Sequence, residues 1–321
     1  MPAMTTSGMS NAPFAVAVAV GPGDREVDRL IDLADSIAAH EQGRGWLVMV
    51  DDAPVPRALD ARVRLPADIK AISLHHPRHA AAQVQYKSGK GICSAVLLAL
   101  GWIQANSDAE HVLKVDTDSL IIGPFRERIA ATFATSPKAG VIGAYTHTPT
   151  GSKRDWTMHH APLRNATRPP FSWRHPVRSL QRRNDPGVRQ ARAIFDAATL
   201  NGYVLGEHCM GGGYATNREL LDRMASAGHF DKANVWTSVD LPEDVMLGMH
   251  ARAVGMGFEN AVAPGALFGI RYRGLPFTLE ELVAKDYAVI HAVKNDDRFD
   301  EATVRRFFQA RRASAASDVS S

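Results

Sequence analysis

Two carboxylates one residue apart, in Val115-Asp116-Thr117-Asp118, end a short apolar run that begins at His111. Side chains two apart on an extended strand point the same way, so Asp116 and Asp118 can converge on one spot. Two like charges held that close repel, and burying them uncompensated is costly, so a cation belongs between them. A divalent ion with oxygen ligands fits, because Mg²⁺ or Mn²⁺ keeps open positions for phosphate. The competing reading makes both acids solvated turn residues ahead of Gly123-Pro124. Much later, His291 closes another apolar run, and Lys294 follows three residues on. Its imidazole could complete a metal set of Asp116, Asp118 and His291. Lys294 and Lys90 could then offset a diphosphate on the same ion. Lys90 lies in Lys87-Ser88-Gly89-Lys90-Gly91, a basic helix start whose free N–H groups and dipole suit an anion. Glu243-Asp244 opens a further helix after the Gly211-Gly212-Gly213 turn and offers a carboxylate for proton transfer. Gly212 and Gly213 are candidate contacts to the nucleotide. Metal, diphosphate and a spare base are what moving a sugar from a nucleotide to a hydroxyl requires. Taken singly, each piece has a plainer role: a core histidine, a helix cap, a flexible turn.

Such residues need a scaffold, and the chain supplies an α/β pattern. Phe14 to Val20 is a continuous β-prone run, the mark of a strand buried on both faces. Gly21-Pro22-Gly23 breaks it, and Asp24 starts an amphipathic helix with Val27, Leu30, Ile31, Leu33 and Ile37 at helical spacing. Trp46 to Val50 and Ile69 to Leu74 are the next strands. Strand, helix, strand with short turns predicts a doubly wound, Rossmann-like, mixed but mostly parallel sheet flanked by helices. In open α/β sheets ligands collect at the carboxyl ends of strands, where Asp116 and Asp118 stand. Helices are predicted from Lys87 to about Asn106, over Val188 to Leu200, from about Asn217 to Ala227, and over Glu243 to Val254. Strands are predicted from Gly140 to Tyr145 and from Tyr287 to Ile290. Thr278-Leu279-Glu280-Glu281 reads as a capping box. One domain over residues 14–312 is expected, between disordered tails at 1–13 and 313–321.

Composition narrows the function classes. The 321 residues carry a net charge of +3 and are 45% hydrophobic, enough for a sizeable core and too balanced to argue for nucleic acid. Two distant cysteines, Cys93 and Cys209, make no disulfide framework and fit a reducing compartment. No apolar run is long enough to span a bilayer, and the first residues lack a signal-peptide pattern. A cytoplasmic protein is expected, with peripheral contact at the inner membrane face compatible. Charge is uneven locally. Residues 151–195 hold ten bases against two acids, with Trp156, Phe171 and Trp173 interleaved and five prolines. This segment is predicted to be an acceptor-side lid favouring an anionic acceptor, against the plainer reading of a solvated loop.

The succession of Val115-Asp116-Thr117-Asp118, Gly211-Gly212-Gly213-Tyr214-Ala215-Thr216-Asn217 and Leu241-Pro242-Glu243-Asp244-Val245-Met246-Leu247-Gly248 resembles the family 31 glycosyltransferases. These are the β-1,3-galactosyl-, β-1,3-N-acetylglucosaminyl- and fringe-type enzymes of GT-A fold. The resemblance implies a nucleotide-diphosphate-sugar donor, usually UDP-linked, with Mn²⁺ (or Mg²⁺) and inversion at the anomeric carbon. The acceptor implied is a hydroxyl of a glycan or glycolipid. It makes Asp118 the direct metal ligand, Asp116 a ribose or metal-shell contact, and His291 the later metal-binding histidine. Asp244 becomes the catalytic base, and Glu243 helps place the acceptor. The clear matches cover about a quarter of the chain. Thr117 stands where the family's metal motif usually has an acid, and the familiar cysteines and membrane anchor are missing. Three rivals stay open: a retaining transferase of the same fold, a nucleotidyltransferase, and an anionic-polymer binding protein. The second needs a glycine-rich phosphate loop that Gly21-Pro22-Gly23-Asp24 reproduces poorly, and the third would rest on the arginine-rich segment alone.

Overall fold

The computed structural model describes residues 13–76, 92–167, 185–239 and 241–319. Its main sheet has seven strands: β1 (Phe14–Val20), β2 (Gly45–Asp51), β3 (Ile69–His75), β4 (His111–Asp116), β6 (Ala139–Gly143), β7 (Gly213–Asn217) and β8 (Gly257–Asn260). They lie in the order β3-β2-β1-β4-β7-β6-β8. The β1–β2, β2–β3, β1–β4 and β6–β8 pairs are parallel. Strand β7 runs antiparallel to both of its neighbours, so the sheet is mixed and mostly parallel, as the sequence predicts. The reason is local. The chain enters β7 from the Gly211-Gly212 turn, beside the carboxyl end of β4, and can only run back along it.

Period-two alternation sorts the strand residues into two buried layers. Phe14, Val16, Val18 and Val20 of β1 face one side with Leu47, Met49, Leu113 and Val115. Helix α1 (Asp24–His40) covers that side through Val27, Leu30, Leu33 and Ile37. Ala15, Ala17, Trp46, Val48, Val50 and Val112 face the other, beneath α2 (Ile92–Asn106). Both cysteines are buried in this second layer. The sheet's connection reverses between β1 and β4. Their carboxyl ends, one at Gly21 and the other at Asp116, therefore frame the crevice where ligands of open α/β sheets bind.

The remaining helices are α3 (Arg126–Thr135), α4 (His160–Thr167), α5 (Pro186–Leu200), α6 (Arg218–Ser226), α7 (Glu243–Ala253), α8 (Leu279–Ala284) and α9 (Glu301–Val319). Helix α5 starts where Asp185 accepts hydrogen bonds from the Gly187 and Val188 N–H groups, and α8 carries the expected Thr278–Glu281 capping box. A second sheet, ordered β5-β10-β9, joins β5 (Leu120–Ile121), β10 (Val289–His291) and β9 (Phe268–Ile270). Leu120, Ile290 and Val293 pack beneath Leu279, Leu282, Val304 and Phe308 of α8 and α9. That packing overturns one expectation, since the chain beyond Arg312 continues α9 instead of losing order. Among the described residues no helix is long and apolar enough to cross a membrane.

Candidate functional site

Strand β4 ends at Asp116, and Asp116 to Ser119 form a turn closed by Ser119 N–H donating to the Asp116 carbonyl at 3.0 Å. The two acids therefore converge through a turn, not by alternation along one strand as the sequence suggests. Alternation instead joins Asp116 to Lys114, whose Nζ lies 2.8 Å from Asp116 Oδ1. The Asp118 carbonyl accepts from Val293 N–H at 2.9 Å, which ties the turn to the end of β10. There His291 directs Nε2 to within 3.4 Å of Asp118 Oδ1 and 3.7 Å of Asp116 Oδ2. Ligand atoms of the three residues all lie within 4.8 Å of one another. Lys294 Nζ stands 3.3 Å from Asp118 Oδ2, with its side chain partly exposed.

Their chemistry fits a divalent cation. The His291 Nδ1 sits 3.0 Å from the Arg271 carbonyl, which can only accept. Nδ1 therefore carries the proton, and Nε2 turns toward the carboxylates as an imidazole ligand must. Asp118 is buried, and Lys294 Nζ is the cation beside its Oδ2. Burial would raise the Asp118 carboxyl, but His291 and Lys294 outweigh it and hold the group well below the usual carboxylate range. Two carboxylates and one imidazole form a hard, mainly oxygen set suited to Mn²⁺ or Mg²⁺. Gly212 makes room for this arrangement, because a Cβ there would overlap the His291 ring. Its carbonyl also accepts from the Ser119 hydroxyl at 3.0 Å.

A second cluster adjoins the first through Lys114. This fully enclosed ammonium also donates to Gly211 O at 2.6 Å and to Glu243 Oε1, and it lies 5.3 Å from the Tyr214 ring centroid. Burial alone would lower its pKa, but the Asp116 and Glu243 carboxylates hold it well above the ordinary lysine value. Burial pushes the Glu243 carboxyl up, and the Lys114 ammonium beside it pulls the other way. Glu243 Oε1 is engaged with Lys114. Asp244 is partly exposed and accepts from the Gly211 and Val245 N–H groups at 2.9 and 2.8 Å. Burial pushes the Asp244 carboxyl up, but the Val245 N–H and the positive surroundings outweigh it and set it below the usual value.

His208 Nε2 lies 3.4 Å from Asp244 Oδ2 and 2.7 Å from an Arg154 nitrogen, and Nδ1 lies 2.7 Å from the Gly206 carbonyl. Nδ1 therefore donates and Nε2 accepts from Arg154, so the imidazole is neutral. Burial sets it down to about 4. The fixed positive charge beside Asp244 is thus Arg154, which also donates to the carbonyls of Ala144, Tyr145 and His208. Gly248 permits the approach, since a Cβ there would lie 2.5 Å from the Glu207 carbonyl.

The fold thus gathers Asp116, Asp118, His291 and Lys294 at one spot and sets Asp244 and Glu243 beside it. Gly213 is a different case: it is a buried sheet residue paired with Val115, against Phe268. Lys90 lies outside the described residues, as do Phe171, Trp173 and the arginines from Arg168 to Arg183. In the described parts of 151–195, Arg154 turns inward and Trp156 stacks on Tyr145 at 5.4 Å. Sequence reasoning missed Lys114, His208 and Arg154. Lys114 had a signal, a lysine inside the apolar Val112-Leu113-Lys114-Val115 run. Arg154 had none, being one base among ten. Comparison with known protein families matches no family model, and comparison with characterised proteins returns no match.

Proposed function

We propose that this protein is a metal-dependent, inverting glycosyltransferase of GT-A type. It moves a sugar from a nucleotide-diphosphate donor, UDP-linked, to a hydroxyl of a glycan or glycolipid acceptor. The observation that carries the reading is one juxtaposition at the carboxyl end of β4. A three-residue metal set and a partly exposed carboxylate, Asp244, are linked there through Lys114 and Gly211. The mixed, mostly parallel sheet flanked by helices is the architecture such an enzyme requires. Asp116, Asp118 and His291 would hold Mn²⁺ or Mg²⁺. The ion supplies neutralisation of the leaving diphosphate when bound. Lys294 offers its ammonium to the same phosphates at the rim. Asp244 takes the proton of the acceptor hydroxyl as the new bond forms. Its two backbone N–H donors keep it ionised and fix its direction.

Calorimetry of UDP binding, with Mn²⁺ and then with chelator, tests the metal-dependent donor site. Binding is expected to weaken strongly on chelation, and Asp118→Ala should lose the metal-dependent part alone. Equal affinity in both conditions would sink the proposal. A product that keeps the donor's anomeric configuration would replace inversion by retention.

A further inference from the structure

The middle residue of the metal turn is gripped on both sides by groups far away in sequence. Thr117 is 4% exposed, and its hydroxyl donates to Glu26, in the first turn of α1. The other oxygen of Glu26 accepts from Arg29 at 2.5 Å. Arg29 reaches across to α9 and donates to both oxygens of Glu301, at 2.7 and 2.6 Å. Glu301 accepts from Arg305, one turn along the same helix, at 3.0 Å. Arg305 then returns to the start, donating to the Thr117 carbonyl at 3.5 Å. The ring is closed: hydroxyl, Glu26, Arg29, Glu301, Arg305, carbonyl. Asp32 steadies it from α1, accepting from Arg305 at 2.7 Å and from Arg312 at 2.5 Å.

The ring places charge with economy. Every ionised member has an opposite partner, and the side chains are only 12 to 25% exposed, so solvent screens the pairs less than it would on an open surface. Beneath it, Val304 and Phe308 of α9 pack in the cluster that holds Leu120, Ile290 and Val293. Leu120 follows the turn by one residue, and Ile290 precedes His291. Helix α9 therefore meets the turn at Thr117 through the ring and shares a core cluster with the neighbours of Ser119 and His291. The threonine also gains a reason. An acid at 117 would meet the Glu26 carboxylate, whereas a hydroxyl donates to it.

We propose that Glu26, Arg29, Glu301 and Arg305 are positioning residues that hold the Asp116–Ser119 turn in ligand geometry from the C-terminal helix. This rests on the metal set proposed above, so the test has an arm that needs no metal. Hydrogen–deuterium exchange of the Asp116–Ser119 turn in metal-free protein is the first measurement, and Mn²⁺ binding by paramagnetic resonance is the second. Thr117→Val removes the hydroxyl donor, and Arg305→Ala opens the ring on its other side. Each is expected to speed exchange of the turn and to raise the Mn²⁺ Kd by about tenfold, the low end for loss of an outer partner of a metal ligand set. Thr117→Ser should restore both, and Arg311→Ala, exposed on the same helix, should change neither. Because a ring breaks only once, Glu26→Gln combined with Arg305→Ala should cost little more than the worse single change. Unchanged exchange of the turn in both single variants would overturn the proposal, as would strictly additive effects. If the natural sequence binds no Mn²⁺, the metal site falls, and the exchange arm still decides the ring.

Discussion

Asp244 has both carboxylate oxygens fixed by backbone N–H groups, yet a carboxylate offers about four lone-pair positions, so each oxygen can accept once more. That capacity separates a base from a cap. Asp244→Asn should slow transfer by roughly two to four orders of magnitude while UDP binding stays intact. The amide cannot accept from both N–H groups, so a stability loss of about 1 kcal/mol should accompany it. Single-turnover rates and UDP calorimetry on the same preparation check both, and transfer at the natural rate would remove Asp244 from the reaction. At this scale the cluster of Asp116, Asp118 and His291 was legible because carboxylates and histidines at the ends of apolar runs announce themselves. Their supports were not. Glu26 and Thr117 are ordinary residues in sequence, and only the fold brings them together. Lys114 fell between the two, odd in its strand but without a stated partner.

Among the elements, the Gly211–Gly213 segment has the tightest geometry. Gly212 faces the His291 ring across a gap with no space for a methyl, and the ring is tied from behind to Arg271. Gly212→Ala should therefore push the imidazole away from Asp116 and Asp118 and weaken Mn²⁺ binding by about tenfold or more. Comparing metal titrations with thermal unfolding of the same variant checks this. Unaltered Mn²⁺ affinity would mean that the ring has another place to sit. The long elements were legible from periodicity alone, and α1, β1, β2 and α2 end within a few residues of the sequence reading. Strands β8 and β9 were not, because four and three residues are too few for a period to show. The direction of β7 was equally hidden, since strand composition carries no polarity. The small, polar composition after Arg312 suggested a loose tail, whereas α9 is anchored earlier, by Val304 and Phe308.

The whole molecule should be labile to mild acid. His229 is pushed down to about 4 by burial, and His250, which touches it at 3.0 Å, lies well below the ordinary histidine value for the same reason. Burial also lowers His40, His111, His159 and His208. Each takes up a proton more readily unfolded, near 6.5, so stability is full above that pH and falls as pH drops toward 4. His229 alone contributes roughly 3 kcal/mol over this window. His291 works the other way. Burial would lower it, but Asp118 and Asp116 raise it, so its contribution is present at low pH and fades as pH rises. Denaturant midpoints at pH 7.5 and 5.0 should show a clear fall at the lower value, and a flat profile would contradict the neutral histidine set. The ring at Thr117 has a consequence of another kind. Arg29 and Glu301 are 272 positions apart, yet they meet beside the metal turn. Proteins are made from the amino end, so a growing chain displays Asp116 and Asp118 long before the ribosome has released α9. Until then, nothing closes on the Thr117 carbonyl from that side. Translation itself thus sets the order of events: the Asp116–Ser119 turn is closed from that side only after α9 has been made, and a copy abandoned short of residue 301 is left without that closure.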